Sequence, residues 1–472
     1  MNKGACSGLV ARLGKVDAFF QGLMTGRAVV ERGRTKSDME ERGRRRLASM
    51  KSLLAELDNP ERQYPQVHVA GTSGKGSVTQ FIAQICTEAG MRTGLHQTPY
   101  LQVSLEKLLV NGELPGLSKI EDLIEEIEEK CKAGEAQPQY GPVWVGITLE
   151  HFRREQVEIA VVETGAGGRY DLTNVLLPSV AVVTRVGMDH VYSLGPTLRD
   201  IAEHKGGIFK AGVPAVALWQ GGVVEEALRR CAAEVGAQLR QIKEGRDYWV
   251  ADTGKATLGL RYKGRLKGGC LEISQLGLSG RHQVENAALA CAAVEELADQ
   301  GHPVTLNAMV EGLKNARMPG RWEVVAKSPA IVLDGAHNKD KAVAVAETLS
   351  RYAAGKKVAI VVGISKHKNS RDVLRALVGH AELIVATEAS VYKKPGHRAE
   401  DLAKEIARMG SCSAAQPDPT KALRIARERV GSDGVVLVTG SMFLVGQVRN
   451  LFYPKLGILE KRSVWAGAKS FK

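Results

Sequence analysis

A glycine-rich segment holds the residue types that bind phosphate. It lies between an apolar run at residues 67–70 and a run of helical spacing at residues 77–89, and it consists of Gly71, Thr72, Ser73, Gly74, Lys75, Gly76 and Ser77. Between a strand and a helix, glycines let backbone N–H groups turn toward an anion, and the helix adds the positive end of its dipole. We expect this loop to bind a nucleotide, with Lys75 at the β- and γ-phosphates and Ser77 on Mg²⁺.

The loop is a variant of the general phosphate loop. Ser or Thr directly follows Lys in the common form, whereas Gly76 stands between Lys75 and Ser77 here. The alternative is a glycine-rich turn whose role is purely structural. A strand before the loop and a helix after it are the context that phosphate binding requires, and they favour the binding interpretation.

Two polar residues follow other strand-like apolar runs. Glu163 ends the run at residues 159–163, and His190 comes shortly after the run at residues 180–186. Sites in open α/β sheets collect at the carboxyl ends of strands, so Glu163 is predicted to be a Mg²⁺ ligand. The alternatives for Glu163 are a charge at a helix N-terminus or a partner of Arg169. His190 has the same placement, although a single histidine is more often structural.

The elements that must hold these residues alternate between strand and helix. A turn signal at residues 318–321 follows a predicted helix, and β-α alternation restarts after it through residue 439. This pattern predicts an α/β fold: a P-loop-type parallel-sheet ATPase domain followed by a smaller Rossmann-like α/β domain. The predicted units are an N-terminal extension (1–36), an ATP-binding domain (37–318) and a C-terminal domain (319–472). Residues 245–278 predict a small antiparallel segment, and residues 1–35 are weakly patterned.

The composition is that of an ordinary globular chain: 472 residues, 44% hydrophobic, 25% charged and 5% aromatic. It excludes a collagen-like or mostly disordered protein. No apolar stretch reaches the roughly 18 residues that span a bilayer, which predicts no membrane partner. Seven scattered cysteines form no C-x-x-C pair and predict no disulfide framework. With no signal-like start, these features predict a cytoplasmic protein.

The net charge of +13 has two interpretations. A positive chain attracts nucleic acid, or it draws in small anionic substrates. Basic residues are not interleaved with aromatic residues as a base-stacking platform requires, and no nucleic-acid-binding motif is present. We therefore expect small-molecule substrates and no nucleic-acid partner.

At the glycine loop the sequence resembles the folylpolyglutamate synthase and dihydrofolate synthase family of the Mur ligase superfamily, in which a Gly also separates Lys from Ser. Further blocks similar to that family follow in the same order, at residues 161–175, 187–197, 201–208, 280–287, 319–321, 333–338 and 439–441. The resemblance runs from about residue 38 to residue 450. It implies ATP-dependent amide formation in a monomer, with L-glutamate and a folate-type pterin as the other substrates.

The resemblance also implies roles for residues around the nucleotide. Asn286 and Arg321 match the family's nucleotide contacts, and Asp334 is similar to a residue that hydrogen-bonds the ribose or the amine side. His190 corresponds to a second metal ligand. Loop capping is the alternative role for Asp334.

Other implied roles concern the reaction itself. Lys205 by residue type is an exposed helix lysine, whereas the resemblance implies a carbamylated side chain that acts in catalysis. His337 is implied at the phosphate or the glutamate, with loop capping as the alternative. Ser441, at a helix N-terminus, is a weaker candidate for the glutamate α-carboxylate, and Thr98 and Tyr100 are weaker candidates for the acceptor.

The sequence departs from the family at the predicted acceptor site. Thr98-Pro99-Tyr100-Leu101 stands where Ser-Pro-His-Leu is usual, the common Arg is missing from residues 105–108, and Ser73 replaces the usual Asn of the loop. Two alternatives therefore stay open. One is a Mur-like ligase that acts on a different carboxylate, and the other is a P-loop ATPase associated with nucleic acid.

Overall fold

The computed structural model describes residues 3–25, 36–133, 139–252, 257–389 and 395–466. These residues form two large, mainly parallel sheets and one small antiparallel sheet. The predicted fold class, a parallel-sheet ATPase domain followed by a smaller Rossmann-like α/β domain, is confirmed. No helix of the described part of the chain is long and apolar enough to cross a membrane.

The first sheet has seven strands in the order β3-β2-β4-β1-β5-β6-β7. Its strands are β1 (Gln66–Ala70), β2 (Thr93–His96), β3 (Leu108–Val110), β4 (Ile159–Glu163), β5 (Val180–Val183), β6 (Ala215–Leu218) and β7 (Leu239–Ile242). Strand β3 runs antiparallel to β2, and the other neighbours are parallel. Val69 of β1 lies beside Glu163 of β4, and Ala70 lies beside Val183 of β5. The loops after β1, β4 and β5 therefore leave the same edge of the sheet.

Helices cover both faces of this sheet. The helices of the first part of the chain are α1 (Lys3–Thr25), α2 (Lys36–Glu56), α3 (Lys75–Glu88), α4 (Leu117–Ala133), α5 (Tyr140–Arg154), α6 (Val191–Leu194), α7 (Leu198–Gly206), α8 (Gly222–Val235), α9 (Arg281–Asp299) and α10 (Leu306–Asn315). In β5, Val182 belongs to the apolar layer of α3 and α9, whereas Val183 belongs to that of α7 and α8. Alternate side chains of a strand point to opposite faces, so this sheet is buried on both sides.

A small antiparallel sheet lies between α8 and α9 in the sequence. It consists of β8 (Tyr248–Ala251), β9 (Gly259–Lys263) and β10 (Cys270–Ile273), in the order β10-β9-β8. The antiparallel segment predicted at residues 245–278 is confirmed.

The second large sheet has six strands in the order β11-β12-β16-β13-β14-β15. Its strands are β11 (Glu323–Lys327), β12 (Ala330–Leu333), β13 (Val358–Val362), β14 (Leu383–Ala386), β15 (Ser413–Ala415) and β16 (Val435–Thr439). The accompanying helices are α11 (Lys339–Tyr352), α12 (Ser370–Leu377), α13 (Ala399–Arg408), α14 (Pro419–Val430), α15 (Met442–Arg449) and α16 (Lys455–Lys461). The predicted boundary at residues 318–319 falls between α10 and β11, and the division into domains stays a prediction.

Helix α1 is more regular than the weak pattern of residues 1–35 indicates. It runs from Lys3 to Thr25 and buries Leu13, Val16 and Phe20 in the core of the first sheet. The Phe20 ring stacks on Trp144 of α5, with 3.8 Å between ring centroids. Three apolar residues at helical spacing are enough to anchor this helix, because they pack against large aromatic side chains of a neighbouring helix. The local sequence pattern does not reveal these partners. Residues 26–35 lie outside the described residues.

Candidate active site

The glycine loop is held in place by residues that directly follow β5, the neighbour of β1 in the sheet. The carbonyl oxygen of Arg185 accepts hydrogen bonds from Thr72 N at 2.8 Å and Ser73 N at 3.2 Å, and Thr184 Oγ1 donates to Ser73 O at 2.7 Å. Gly71 has a φ of 156°, and a Cβ built on it would lie 1.8 Å from Thr184 Oγ1. The loop therefore needs glycine at position 71 because the Thr184 hydroxyl occupies the space of a side chain.

Helix α3 begins at Lys75, two residues before the predicted start. Gly74 is its N-cap, with a left-handed φ of 92°, so Lys75, Gly76 and Ser77 form the first helical turn. N–H groups of a first turn have no partner within the helix. Because Thr72 N and Ser73 N already donate to the Arg185 carbonyl oxygen, residues 74–77 are the better candidates for backbone contacts with phosphate. The role of residues 71–77 in nucleotide binding stays a prediction.

Lys75 and Glu163 form the centre of the site. Lys75 Nζ donates to Gly71 O at 3.2 Å and lies 3.8 Å from Glu163 Oε1. The other carboxylate oxygen of Glu163 accepts a hydrogen bond from Thr98 N at 3.1 Å. Glu163 is 4% exposed, and this burial raises the pKa of its carboxyl group, although Lys75 opposes the shift. A buried carboxylate beside a phosphate loop suits a hard cation, because the cation would compensate the desolvated charge.

The described residues contain no group of three or more His, Cys, Asp or Glu side chains that could hold a metal ion. Glu163 and His190 thus do not belong to a preformed set of three or more protein metal ligands among the described residues. Mg²⁺ usually binds one or two protein oxygens and takes its other ligands from substrate phosphates and water. Glu163 fits that mode, since its Oε2 lies 3.7 Å from the position of a Cβ built on Gly76, next to Ser77. The roles of Ser77, Glu163 and His190 as ligands stay predictions.

His190 lies on an exposed turn of the loop after β5. Its φ is 52°, its side chain is 52% exposed, and its Nε2 lies 3.9 Å from Asp189 Oδ2. Asp189 Oδ1 in turn lies 3.8 Å from Lys368 Nζ of the second sheet's loops. Burial raises the pKa of Asp189, but His190 and Lys368 outweigh it and hold this pKa below its usual value. The Asp189–Lys368 ion pair therefore joins the two sheet units at the site.

Lys205 is buried, so the exposed lysine that residue type alone indicates is wrong. It lies on α7, it is 2% exposed, and burial together with the nearby Lys75 lowers its pKa to about 7. The exposed position fails because α7 packs against α8 and the loop of Gly168, which approaches the Lys205 carbonyl oxygen. A lysine with this pKa is partly neutral at neutral pH, and a neutral amine is the form that reacts with CO₂.

Asn286 lies directly against the glycine loop. A Cβ built on Gly74 would come within 2.3 Å of Asn286 Oδ1, and the Asn286 amide donates to Gln283 Oε1 at 3.0 Å. Asn286 lies in the second turn of α9, which begins at Arg281. The structure thus brings Asn286 to the loop, as a nucleotide contact requires.

A cavity of about 330 Å³ lies beside the start of α9, the helix that carries Asn286. Its lining includes Arg185, Tyr248, His282 and Glu285. Arg185 binds Glu285 through two hydrogen bonds, at 2.9 Å and 2.6 Å, while its carbonyl oxygen holds the glycine loop. One residue therefore connects the loop to the cavity. Local sequence patterns do not predict this cavity, because its walls come from separate parts of the chain, including α9, α11, the small sheet and Arg185.

Asp334 has the loop-capping role that was the alternative to ribose binding. It follows β12, and its two carboxylate oxygens accept hydrogen bonds from Trp322 N and Ala336 N, both at 2.9 Å. Burial raises its pKa, and Arg321 opposes the shift. Arg321 itself donates toward Met442 Sδ at 2.9 Å. Asp334 thereby fixes the turn that carries Arg321, and its contact with a nucleotide stays a prediction.

His337 is neutral and turned toward Lys341. Burial and then Lys341 lower its pKa to about 3. Its Nδ1 lies 2.8 Å from Gly335 O, so Nδ1 carries the proton, and Nε2 faces Lys341 Nζ at 3.4 Å. The His337 side chain thus already has partners on both ring nitrogens, and Lys341 is the cation of this pair. The predicted contact of His337 with a phosphate or the glutamate stays a prediction.

Lys341 is the functional candidate that the sequence analysis missed. It lies in the first turn of α11, and burial together with Arg321 and Lys75 lowers its pKa to about 7. Arg321 and Lys341 come from the second sheet unit, yet both oppose the rise in the pKa of Glu163 in the first unit. A lysine near a helix N-terminus has no distinctive sequence signature. Only its position opposite the glycine loop identifies it.

The weaker substrate candidates lie at two places. The Thr98 backbone touches Glu163, whereas Tyr100 is 36% exposed and lies near Lys107, whose Nζ is 5.6 Å from the Tyr100 ring centroid. Ser441 is the N-cap of α15 and accepts a hydrogen bond from Phe443 N at 3.1 Å. Ser441 therefore already has a structural partner, and its role at a carboxylate stays a prediction.

Comparisons with known proteins agree with this geometry. The Mur ligase middle domain matches residues 69–294, and the Mur ligase glutamate ligase domain matches residues 320–442. The chain is 31% identical over 411 residues to the dihydrofolate synthase/folylpolyglutamate synthase of Bacillus subtilis, covering 85% of this chain and 94% of that protein. It is 30% identical over 443 residues to the Mycobacterium tuberculosis protein of the same name, covering 86% and 90%. The solved structure of Mycobacterium tuberculosis folylpolyglutamate synthase complexed with ADP matches with a TM-score of 0.79 at 27% identity, covering 94% of this chain and 98% of that one.

A parallel sheet with a glycine loop, followed by a second α/β unit that faces the loop, defines the chain as a Mur ligase. Within that class it belongs to the folylpolyglutamate synthase and dihydrofolate synthase family, and the resemblance seen in the sequence is confirmed. The chain is therefore an ATP-dependent carboxylate–amine ligase by class.

Proposed function

We propose that this protein joins L-glutamate to a folate-type carboxylate in an ATP-dependent reaction that passes through an acyl phosphate. The observation that carries the proposal is the meeting of four basic side chains from both sheet units around the glycine loop, namely Lys75, Arg321, Lys341 and Lys368. The names of the relatives support the acceptor and the amine. Cations from both sheet units are what a reaction between a triphosphate and a carboxylate needs, because two anions must approach each other.

The chemistry has two steps. An oxygen of the acceptor carboxylate attacks the γ-phosphorus of ATP, the bond from that phosphorus to the bridging oxygen breaks, and ADP leaves. The neutral amine of glutamate then attacks the acyl carbon through a tetrahedral intermediate, loses a proton and expels phosphate. The protein supplies position and charge compensation rather than covalent chemistry.

The residues of the loop have distinct tasks in this proposal. Backbone N–H groups of residues 74–77 hold the phosphates, and Lys75 compensates the charge on the transferred phosphoryl group. Ser77 and Glu163 would hold Mg²⁺, with His190 at a second ion. When bound, Mg²⁺ neutralises phosphate charge and orients the phosphate oxygens. Asn286 and the cavity beside the start of α9 take the nucleoside.

The second sheet unit supplies the opposite wall. Arg321 and Lys341 face the phosphates, and Asp334 and His337 hold these two cations in place. Ser441 is the candidate for the glutamate α-carboxylate, and Thr98 and Tyr100 are the candidates for the acceptor. The chain acts as a cytoplasmic monomer without nucleic acid, and its two domains meet at residues 318–319.

A carbamylated Lys205 completes the first wall. Addition of CO₂ to the neutral amine releases one proton and converts a buried cation into a carbamate anion. The burial of Lys205 and its pKa of about 7 support this modification. An anion beside Lys75 would relieve cation repulsion and add a further oxygen for Mg²⁺.

The test is incorporation of radiolabelled glutamate into dihydropteroate, dihydrofolate and tetrahydrofolate, each with and without ATP. We expect ATP-dependent label in at least one product. Unrelated carboxylic acids in the same assay test for a ligase of a different acceptor, which the departures at residues 98–101 make worth including. ATP hydrolysis that DNA or RNA stimulates, with no labelled product from any acid, would overturn the proposal.

A further inference from the structure

Arg449, the last residue of α15, is fully buried with 0% of its side chain exposed. Its Nε donates to Glu323 Oε1 at 3.0 Å and Oε2 at 2.9 Å, and its Nη2 donates to Val464 O at 2.8 Å. Its guanidinium lies 4.2 Å from the Tyr453 ring centroid and 5.3 Å from that of Trp465. A buried guanidinium must have its donors satisfied, and residues from the C-terminal part of the chain supply most of these partners.

One partner of Arg449 comes from the first sheet unit instead. The Arg449 Nη1 donates to the side-chain oxygen of Gln102, which lies 347 positions away in the sequence. The Gln102 amide nitrogen donates to Tyr453 O at 2.8 Å. Both ends of the Gln102 side-chain amide are thus held by the second sheet unit.

Gln102 belongs to the segment 98–106, which we call the bridging loop. Its second half is folded around Glu106, whose carboxylate accepts hydrogen bonds from Leu101 N at 2.7 Å, Gln102 N at 2.9 Å and Val103 N at 2.9 Å. The loop therefore holds one conformation between Leu101 and Glu106. A displacement of Gln102 would therefore move the whole turn, because three of its backbone N–H groups share the Glu106 carboxylate.

The other end of the bridging loop reaches the candidate active site. Thr98 N donates to Glu163 Oε2, the carboxylate that faces Lys75. Between the two ends, Leu101 packs in the core of the second sheet, and a Cβ built on Gly446 of α15 would lie 2.3 Å from Leu101 O. The bridging loop thus runs from Glu163 in one unit to Arg449 and α15 in the other.

Arg449 is also connected to the junction between the units. Glu323, its ion-pair partner, accepts a hydrogen bond from Gly320 N at 2.8 Å. Gly320 precedes Arg321, and a Cβ on Gly320 would lie 3.1 Å from Leu101 Cδ2. The same buried guanidinium therefore holds both the junction that carries Arg321 and the loop that touches Glu163.

We propose that Arg449 is a positioning residue for the ligase reaction: through Gln102 it holds the bridging loop, and with it the acceptor carboxylate, in register with Glu163 and Arg321. Arg449 touches no reacting atom. The inference rests on the proposed function for its kinetic consequence, whereas its structural content, that Arg449 orders the bridging loop, stands independently.

Two variants separate this role from a general effect on folding. Gln102→Leu removes the link to the bridging loop and leaves the Arg449–Glu323 pair intact. Arg449→Lys keeps the charge and loses the fork that reaches Glu323, Gln102 and Val464 together. The matched control is Arg240→Lys. Arg240 pairs with the buried Glu295 at 2.8 Å, and it lies in β7, at the edge of the first sheet opposite β2 and β3.

The first readout is hydrogen–deuterium exchange of the bridging loop in the full chain. We expect exchange of residues 98–106 to become at least tenfold faster in Gln102→Leu and Arg449→Lys and to stay unchanged in Arg240→Lys. The second readout is steady-state kinetics. The KM for the acceptor is expected to rise about tenfold or more in both variants, with the KM for ATP within twofold of wild type.

Each outcome decides the inference. Unchanged exchange in Gln102→Leu overturns it, and so does a parallel rise of both KM values or an equal effect of Arg240→Lys. If wild-type protein incorporates no glutamate, the proposed function fails. In that case the exchange experiment alone still confirms or rejects Arg449 as the residue that orders the loop.

Discussion

Lys75 Nζ and Glu163 Oε1 lie 3.8 Å apart where the glycine loop meets the end of β4. In the sequence the two residues are separated by β2, β3, α4 and α5, and only the parallel pairing of β1 with β4 brings them together. The buried carboxylate thus helps to hold Lys75, the predicted phosphate ligand, over the glycine loop.

Replacement of Lys75 by Ala removes charge compensation from the transferred phosphoryl group. We expect kcat to fall by about 10²–10³-fold, the range typical for loss of one such group. Rates of glutamate incorporation would measure the effect, with Lys314→Ala as a control because Lys314 lies in an exposed ion pair. A Lys75→Ala protein of normal activity and normal melting temperature would contradict the assignment.

Glu163→Gln tests the metal role with little change of shape, because a Gln side chain can still accept the hydrogen bond from Thr98 N. The change removes a buried negative charge. We therefore expect the Mg²⁺ concentration at half-maximal rate to rise about tenfold or more while the melting temperature of the metal-free protein is kept. Initial rates across a Mg²⁺ titration provide the measurement, and an unaltered Mg²⁺ requirement would count against Glu163 as a ligand.

The proposed carbamylation of Lys205 can be tested directly. With ¹³C-labelled bicarbonate, we expect a single carbamate ¹³C signal from wild-type protein and none from Lys205→Arg, whose guanidinium stays protonated. The signal should grow as pH rises through about 7, because the neutral amine becomes available there. Absence of the signal at pH 8 in active protein would show that the unmodified lysine is the working form.

Lys341→Met is expected to stabilise the ligand-free protein while it weakens catalysis. Lys341 has a folded-state pKa of about 7, below the 10.5 of a free lysine, because of burial and of the cations Arg321 and Lys75. Between about pH 7 and 10.5 the unfolded chain binds more protons at this residue, so wild-type stability rises with pH over that window.

The advantage of the Lys341→Met variant should therefore be largest at pH 7 and below, and it should shrink as pH approaches 10. A gain of 1 kcal/mol corresponds to roughly 2–4 °C in Tm for a domain of this kind. Thermal melts from pH 6 to pH 10 would test the trend. A Tm difference that is independent of pH would show that repulsion at Lys341 does not explain the effect.

The sequence predicts the sheets better than it predicts the site. Strands such as β1, β4 and β16 are short apolar runs closed by glycine or polar residues, so their position and parallel pairing can be inferred from local pattern. The Lys75–Glu163 pair follows from the rule for strand ends. By contrast, Lys341 and Arg449 have no local signature, because their roles arise from residues far away in the chain.

Burial explains the remaining differences. By residue type Lys205 is a surface lysine, but the packing of α7 against α8 buries it. By sequence Asp334 is a candidate to bind a ligand, but its two carboxylate oxygens accept hydrogen bonds from backbone N–H groups. In both cases the residue type is known from the sequence, whereas tertiary packing determines the burial and the hydrogen-bond partners of the side chain.

The segment around α16 has a consequence for how the protein is made. Arg462 exchanges backbone and side-chain hydrogen bonds with Leu114, a residue 348 positions earlier, and Ile458 lies in the core of the first sheet. A nascent chain that has been synthesised only as far as β7 therefore exposes the apolar surface that α16 covers in the folded protein. Translation of the second sheet unit must finish before α16 can cover that surface, so we expect the nascent first unit to be most prone to aggregation during this interval.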